Sequence, residues 1–465
     1  MEIGRQAGRQ ADTMRTFLHS LKVLSGVMLI LTALLPRQGR QQEGVAVQAQ
    51  QQQVLLNLRE DFAVGNVRNA DAAALEEQLT RDIRRFIVID NGEIVMNYQR
   101  DNIEDGDIYN VFSITKTLMS IFVGKLLDIT QDDGSSNLNI NTSLGEIFVG
   151  DDHPAWAGMD DTAEIEFKKN VTLYELLTMT SGLDVLYGDG LEEAPWDMTL
   201  GKFANTPGRD VTESLSIPSV WEEYKGKFVY MAVSNILSYV IKEKTGSTPR
   251  EFIAQYILPE LGIANEAIDW DKNDDGVETS YSQLRLTGLQ MAKFGQLFLQ
   301  NGYSSPGNPL ISEQYVRDSL SNQVWADGKK IDFGGDEPVL MELYDNPFGY
   351  MWHGYTVGTE YNQYPNDVGD VWGASGGFGH LMCICSKSNR IVVVQRSNTV
   401  YDVMNTEEYI YPLIPTVMSP NISFSETASS SSVTVASSSS PIGLAVAGGG
   451  TTPAVIIRSE EHTLN

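Results

Sequence analysis

The chain has 465 residues, 42% of them hydrophobic, so it can bury one large core or two packed lobes. Its 61 acidic and 33 basic residues give a formal net charge of -28. Such a charge repels nucleic acid and anionic membrane surfaces, so we expect no partner of either kind.

The first 53 residues differ in composition from the rest of the chain. Four basic residues, Arg5, Arg9, Arg15 and Lys22, come before an apolar run at 23–35. This run is shorter than the roughly 20 residues that span a bilayer, so 1–36 resembles a signal peptide or an uncleaved signal anchor. We therefore expect a protein that is secreted, or tethered to a membrane through this segment on the extracytoplasmic side.

Low-complexity stretches suggest the domain boundaries. Residues 37–53 are rich in glutamine and predict a flexible linker, and residues 421–465 form a serine- and glycine-rich tail that we expect to be disordered. The folded domain is therefore predicted at 54–420. Three N-x-S/T sequons, at Asn141, Asn170 and Asn421, are compatible with a eukaryotic secretory route but are common by chance.

The folded part begins with a hairpin signal. Two β-rich runs at 86–98 flank Asn91-Gly92, the dipeptide most typical of a two-residue hairpin turn. An antiparallel sheet is therefore predicted to precede the helix that follows.

A serine and a lysine stand near the start of that helix, predicted at 111–127. Ser113 comes three residues before Lys116, so the two side chains share a helix face. A lysine in a water-poor pocket holds its proton less tightly and can accept the proton of a serine that attacks a carbonyl. This S-x-x-K spacing occurs in serine acyl-transfer enzymes. Alternatively, Ser113 caps a free backbone N–H and Lys116 is a solvated charge.

The middle of the chain predicts a mostly helical lobe. Helices are expected at 171–183, 228–246 and 284–302, each ending at or next to a glycine. Between the last two, residues 271–282 imitate a calcium loop, but Ser282 stands where a bidentate carboxylate is needed. An acidic surface turn is the favoured interpretation.

Strands return at 348–354, 371–386 and 390–396, so we expect the chain to close the sheet that it opened. Cys383 and Cys385 lie two apart in one of these runs and are predicted to be buried packing thiols. His353 and His380 either face a cleft or, by preference, are structural. The five histidines show no metal-ligand spacing.

Five motifs follow one another in a characteristic order. They are Ser113-Ile-Thr-Lys116, Leu-Leu-Thr-Met-Thr-Ser-Gly at 176–182, Tyr230 before 237–246, Gly-Leu-Gln-Met-Ala-Lys-Phe-Gly-Gln-Leu-Phe-Leu at 288–299, and Gly373-Ala-Ser-Gly-Gly-Phe-Gly379. In this order they resemble the class C β-lactamase-related serine hydrolases, which include esterases and 6-aminohexanoate-dimer hydrolases. The resemblance covers roughly 86–396. It implies an α+β, β-lactamase/transpeptidase-like fold: a central antiparallel sheet flanked by helices, with an inserted, mostly helical lobe.

The resemblance also implies roles for individual residues. Ser113 matches the nucleophile, Lys116 its partner, and Tyr230 the tyrosine that shuttles protons with the lysine. A phenol serves as base only beside a cation that stabilises the phenolate. The spacing from Tyr230 to Gly246 is about one residue shorter than the family pattern, so Tyr224 remains the alternative.

The third family motif, Lys-Thr-Gly or His-Thr-Gly, falls on Val371-Trp372-Gly373, where no cation stands. This departure disfavours β-lactam hydrolysis, since the family cation helps to hold the substrate carboxylate. The strand, with Trp372, Gly373, Ala374 and Ser375, is expected to bind substrate. The N–H of about Ala374 would pair with that of Ser113 as an oxyanion hole.

The sequence therefore favours a serine hydrolase that cleaves an ester or linear amide through an acyl-enzyme on Ser113, with no cofactor. A catalytically inactive binding module for a peptide or glycan is the first alternative. A β-lactamase or D-Ala-D-Ala carboxypeptidase is the second.

Overall fold

The computed structural model of the chain describes residues 55–65, 79, 83–100, 103–104, 106–132, 138–156, 162–183, 225–228, 230, 234–273, 276–326, 346–355, 371–396 and 413–419. All of them belong to the unit Val54–Asn465. The predicted leader, the glutamine-rich linker, the C-terminal tail, Asn421 and Tyr224 lie outside the described residues.

The described strands are short at the edges of the fold and long at its centre. In chain order they are β1 (Ala63–Val64), β2 (Ile83–Asp90), β3 (Glu93–Gln99), β4 (Tyr109–Asn110), β5 (Asp269–Trp270), β6 (Leu284–Leu286), β7 (Tyr303–Ser305), β8 (Asn308–Pro309), β9 (Val324–Ala326), β10 (Asn346–Phe348), β11 (His353–Tyr355), β12 (Val371–Gly376), β13 (His380–Cys385) and β14 (Arg390–Arg396).

The described helices fall mainly between β4 and β10. In chain order they are α1 (Ile114–Asp132), α2 (Leu144–Ile147), α3 (Thr162–Lys169), α4 (Leu173–Leu177), α5 (Ser234–Thr245), α6 (Pro249–Tyr256), α7 (Gly288–Leu299), α8 (Glu313–Ser319) and α9 (Leu413–Met418). Single 3₁₀ turns occur at Pro154–Trp156, Leu258–Leu261, Asn265–Ala267 and Gly377–Gly379.

Nine of the described strands form one sheet, in the order β1-β3-β2-β14-β13-β12-β11-β10-β9. Neighbours are antiparallel except at one edge, where β1 runs parallel to β3. The predicted α+β architecture is confirmed, but the sheet is mixed rather than wholly antiparallel. Because β2 and β14 pair side by side at its centre, residues from both ends of the described chain close the sheet.

The hairpin between β2 and β3 turns at the predicted dipeptide. Asn91 has φ 51° and Gly92 has φ 84°, so both central residues adopt the left-handed conformation of a two-residue hairpin loop. The twist of such a turn matches the right-handed twist of the strands it joins. The sequence prediction is confirmed here.

The central strands are apolar on both faces because both faces are covered. Ile87 and Ile391 belong to the main core beneath α1 and α7, together with Phe122 and Phe294. Alternate residues of the same strands, such as Val88, pack in a second core with α9. A strand buried on both sides shows a continuous apolar run rather than alternation, which explains the pattern at 86–89 and 391–394.

Two predicted helices are shorter than expected. Helix α4 ends at Leu177, well before Gly182, because Met179 turns left-handed at φ 55°. Helix α5 begins at Ser234, so the predicted helix at 228–246 starts too early, although Gly246 ends it with φ 70°. Tyr230 consequently lies in the segment before α5.

The prediction at 284–302 joined two elements that the structure separates. Leu284–Leu286 is strand β6, which pairs with β4 and β5. Thr287 then caps α7: its hydroxyl accepts the Gln290 N–H at 3.1 Å, while the Gln290 side chain accepts the Thr287 N–H at 2.8 Å. This capping box fixes the helix start after the strand.

Two predicted strands are in fact hairpins. The run at 348–354 is broken between β10 and β11 by a turn in which Met351 has φ 60°. The run at 371–386 contains β12 and β13, joined at Gly377–Gly379 with Phe378 at φ 63°. The first turn lies in an apolar run, so hydrophobicity alone did not reveal it. The second contains Gly376, Gly377 and Gly379, a turn signal that the strand prediction did not use.

Several minor predictions can be compared with the described residues. Cys383 and Cys385 are buried and unbridged, and burial raises the pKa of the Cys383 thiol. In the acidic turn, the Asp271 carboxylate pairs with Arg285 at 2.7 Å. Within the described ranges, no helix is long and apolar enough to cross a bilayer.

Candidate active site

Ser113 stands at the entry to α1. The turn before it is tight: the Ile114 N–H donates to the Val111 carbonyl at 3.2 Å, and Phe112 is left-handed at φ 50°. Ser113 is partly exposed, whereas the residues on either side of it are buried. Its own backbone N–H donates to no acceptor among the described residues. The turn thus presents both a hydroxyl and an available N–H.

Lys116 lies one turn further along, buried with 5% of its surface exposed. Its Nζ is 3.0 Å from Ser113 Oγ and donates to the Tyr281 carbonyl at 2.8 Å. Burial lowers the pKa of Lys116 from 10.5 to about 7. A lysine that is neutral for part of the time at physiological pH can accept a proton from the hydroxyl beside it. The alternative interpretation of Lys116 as a solvated charge does not fit its burial.

Two tyrosine rings flank this ammonium. The Lys116 Nζ lies 5.2 Å from the centroid of the Tyr230 ring and 5.8 Å from that of Tyr281. Tyr230 is half-buried and packs against the main core. The structure therefore brings together the three residues that the resemblance assigned, Ser113, Lys116 and Tyr230.

One edge of strand β12 lies beside the Ser113 turn. Strand β11 pairs with β12 only as far as Gly373, so 374–376 have a neighbouring strand on one side only within the described structure. Gly376 lies close to the turn before Ser113, since a Cβ on it would come within 2.4 Å of the Val111 carbonyl oxygen. Strand β12 thus reaches the turn that carries Ser113.

The four predicted substrate-binding residues of β12 differ in exposure. Gly373 and Ala374 are buried, whereas Trp372 and Ser375 are half-buried. The Trp372 indole packs on Gly354, where a Cβ would approach the ring to within 3.0 Å. An aromatic surface therefore stands where the family pattern has its cation-bearing motif.

One of the two candidate histidines lies near the site. His353, on β11, is buried, with its ring centroid 6.1 Å from that of Tyr230 and 5.0 Å from that of Phe348. Burial and the charge of Lys116 lower the pKa of His353 to about 3, so the imidazole is neutral. His380 is buried at the start of β13, 5.2 Å from the Phe112 ring.

Sequence reasoning missed the contribution of Tyr281. Its backbone carbonyl holds Lys116, and burial, with a smaller effect of the Asp271 charge, raises the pKa of its phenol. A carbonyl contributed by a loop leaves no signal in residue type, so no motif could have identified this residue. No group of three or more His, Cys, Asp or Glu side chains suited to a metal occurs in the described part of the chain.

A family model described as beta-lactamase matches residues 76–410. The chain belongs to the beta-lactamase family. The match includes Ser113, Lys116, Tyr230 and all of β12. Proteins of this family are typically serine hydrolases, and the fold described above is the β-lactamase/transpeptidase-like fold.

Solved structures with this fold are distant in sequence. A protein from Bacillus anthracis described as a 6-aminohexanoate-dimer hydrolase is 15% identical, with a TM-score of 0.50 over 78% of this chain and 89% of that one. A penicillin-binding protein homologue from Caulobacter crescentus is 12% identical, with a TM-score of 0.52 over 76% and 99%. A protein from Bacteroides dorei described as a beta-lactamase is 14% identical, with a TM-score of 0.51 over 75% and 95%. No curated protein sequence matches the chain.

Proposed function

We propose that this member of the beta-lactamase family is a serine hydrolase that cleaves an ester or a linear amide through an acyl-enzyme on Ser113. One observation carries the proposal: the buried amine of Lys116, with a pKa of about 7, lies 3.0 Å from Ser113 Oγ. A binding module has no need of a lysine held at an unfavourable, buried position beside a hydroxyl.

In the proposed acylation step, Ser113 Oγ attacks the substrate carbonyl carbon while its proton passes to the neutral Lys116 amine. The carbonyl oxygen becomes an oxyanion, which accepts hydrogen bonds from the Ser113 N–H and from a backbone N–H of β12 near Ala374. When the tetrahedral adduct collapses, the leaving alcohol or amine takes a proton from Lys116, with Tyr230 beside it to relay the proton.

In the proposed deacylation step, water takes the place of the leaving group. It attacks the acyl carbonyl while its proton passes to the neutral Lys116 amine, directly or by relay through the Tyr230 hydroxyl, and Ser113 Oγ leaves with the proton that Lys116 returns. This sequence uses only side chains and backbone groups of the chain and begins and ends with the same protonation state.

The chemistry of β12 supports esters and linear amides over β-lactams. A β-lactam antibiotic carries a carboxylate, and 371–375 offer it an indole and small side chains rather than a cation. Leaving a carboxylate without a charged partner in a partly buried site is unfavourable. A neutral acyl group, in contrast, can pack against Trp372.

Hydrolysis of a short-chain p-nitrophenyl ester tests the proposal. We expect turnover by the native protein, a loss of at least about a thousandfold in Ser113→Ala, and at least about a hundredfold in Lys116→Ala. Lys125→Ala, a half-buried lysine on the same helix, is the matched control and should retain full activity. A Lys116→Ala variant as active as the control contradicts the proposed mechanism.

Intact-mass measurement and a second substrate separate the alternatives. An ester substrate should add one acyl group to the native protein and none to Ser113→Ala. A chromogenic cephalosporin turned over as fast as the ester would instead indicate a β-lactamase. If neither substrate is turned over and no adduct forms, the cleft is that of a binding module.

A further inference from the structure

The residue before Ser113 is held in an unfavourable conformation. Phe112 is a bulky residue with φ 50°, in the left-handed region that L-residues other than glycine seldom adopt. Its ring packs against the Phe378 ring, with the centroids 5.0 Å apart, and a Cβ on Gly376 of β12 would lie 3.3 Å from the Phe112 Cβ. Such backbone persists only where surrounding contacts fix it, and it is concentrated at functional sites.

The side chain of Asn110 adds hydrogen bonds that hold this backbone in place. Its Oδ1 accepts the Phe112 N–H at 2.8 Å and the Gln283 N–H at 3.2 Å. Its Nδ2 donates to Gln283 Oε1 at 2.8 Å. Gln283 is itself left-handed at φ 75° and 6% exposed. One amide group thus bridges two residues with strained backbone on separate segments of the chain.

The second of these segments also holds Lys116. Tyr281, two residues before Gln283, accepts a hydrogen bond from Lys116 Nζ through its carbonyl at 2.8 Å. A neutral amine has two N–H groups and one lone pair. Because a carbonyl can only accept, it takes one N–H and leaves the lone pair free to turn toward Ser113 Oγ, 3.0 Å away.

The backbone of Asn110 itself takes part in regular strand pairing. Strand β4 pairs with β6, Asn110 opposite Arg285, and the Val111 N–H donates to the Leu284 carbonyl at 2.9 Å. The strand pairing therefore brings the two segments together, and the Asn110 amide sets the conformation at the point where regular pairing ends.

We propose that Asn110 and Gln283 form a positioning clamp that sets the Ser113 turn and the Tyr281 carbonyl at the distance the serine–lysine pair requires. The inference rests on the proposed serine hydrolase function. Neither residue touches the reacting atoms, so both are positioning residues. Asparagine suits position 110 because the same side chain must accept two N–H groups and donate one.

The test compares Asn110→Ala, Gln283→Ala and the double variant in ester hydrolysis. We expect each single variant to lower kcat at least about tenfold. KM should change less than about threefold, because the substrate acyl group can still bind along β12. The double variant should be no worse than the poorer single variant, since both changes break one clamp. Asn110→Asp, which keeps the acceptor and loses the donor, should fall between the native protein and Asn110→Ala.

Arg285→Ala is the matched control, because Arg285 pairs with Asn110 in the strand but its side chain binds Asp269 and Asp271. Amide hydrogen exchange at 112–116 and 281–283 should accelerate in Asn110→Ala but not in Arg285→Ala. A loss of kcat in Arg285→Ala equal to that in Asn110→Ala would overturn the clamp, since local stability would then explain both.

The outcomes separate the clamp from the function on which it rests. If the native protein turns over the ester and kcat is unchanged in Asn110→Ala, the clamp alone is overturned. The same holds if the losses of kcat in the two single variants multiply in the double variant. A native protein with neither turnover nor a Ser113 adduct overturns the proposed function and the positioning role with it.

Discussion

At the scale of single residues, Lys116 is the most informative side chain in the chain. It stands at the start of an apolar helix, almost fully buried, with a hydroxyl and a carbonyl as its described polar partners. Burying a charge without a counter-ion is unfavourable, so the protein lowers the affinity of this amine for its proton. The same burial that disfavours the charge leaves the amine partly neutral near pH 7, as the proposed mechanism requires.

The pH dependence of the reaction follows from this pKa. In the proposed mechanism the neutral amine is the reactive form, so kcat/KM for an uncharged ester should rise with pH and reach half its maximum near pH 7. A pH–rate profile between pH 5 and 9 measures this. His353 should not contribute a second inflection there, since its pKa is about 3. A flat profile across this range would exclude Lys116 as the base.

The stability of Lys116→Met provides an independent test. In the unfolded chain Lys116 titrates near 10.5 and in the folded protein near 7, so between these values the unfolded state binds more protons and stability rises with pH. Replacing the lysine by methionine removes this penalty. The variant should therefore be more stable than the native protein by on the order of a few kcal/mol at pH 6, and the difference should shrink towards pH 10.

Thermal unfolding at pH 6 and pH 10 checks the sign of this effect. A Lys116→Met variant that is less stable at both values would mean that the amine contributes more through its hydrogen bonds than it loses through burial. The variant should have lost esterase activity at either pH.

At the scale of elements, α1 is fixed in register by its contact with α8. Gly124 lies against the Tyr315 ring, and the Tyr315 hydroxyl donates to the Ser120 carbonyl at 2.7 Å. Because this hydrogen bond holds the Tyr315 ring against α1, only a residue without a Cβ fits at position 124.

Gly124→Ala should destabilise the protein despite the higher helix propensity of alanine. The new Cβ would lie 2.6 Å from two carbons of the Tyr315 ring. Overpacking of this kind costs about 1–3 kcal/mol, against about 1 kcal/mol gained from propensity, so we expect a net loss of up to about 2 kcal/mol. Chemical denaturation measures it, with Lys125→Ala as the control on the same helix. A more stable Gly124→Ala would show that Tyr315 can move aside.

At the scale of the whole molecule, one buried ion pair joins the two ends of the described chain. Arg390 on β14 pairs with Asp90 on β2 at 3.0 Å, with 5% and 10% of the two side chains exposed. The same guanidinium donates to the carbonyls of Val417 and Ser419 at the end of α9. Strands β2 and β14 and the end of α9 are therefore all bound by one side chain.

Arg390→Met should destabilise the fold by about 3 kcal/mol, because it leaves the Asp90 carboxylate buried without its partner and frees two carbonyls. Arg317→Met, which breaks an exposed pair with Glu313, is the matched control and should cost less than about 1 kcal/mol. Denaturant melts give both values, and kcat at 25 °C should be unchanged in each. Equal losses in the two variants would contradict the structural role of the Arg390 pair.

Much of this molecule is encoded locally, and those parts could be predicted from the sequence. The Asn91-Gly92 turn, the Ser113–Lys116 spacing and the apolar central strands each arise from neighbours in sequence, where backbone preference and side-chain period decide. The ordered motifs added the family and the α+β fold. The end of α4 and the turn within 348–354 were not predicted, because Met179 and Met351 occupy left-handed positions that only tertiary packing stabilises. The start of α5 was predicted too early, and the glycine-rich turn within 371–386 was included in a single strand.

The order of residues shows which side chains are available for chemistry, whereas their reactivity depends on the folded structure. Ser113 and Lys116 share a helix face in any helix, but the pKa of the lysine falls only because the core buries it, and the Tyr281 carbonyl that binds it lies 165 residues away. Asn110 and Gln283 gave no signal, since their amides act through backbone segments that strand pairing alone brings together. A pKa depends on surroundings, and surroundings are set by contacts between residues distant in sequence.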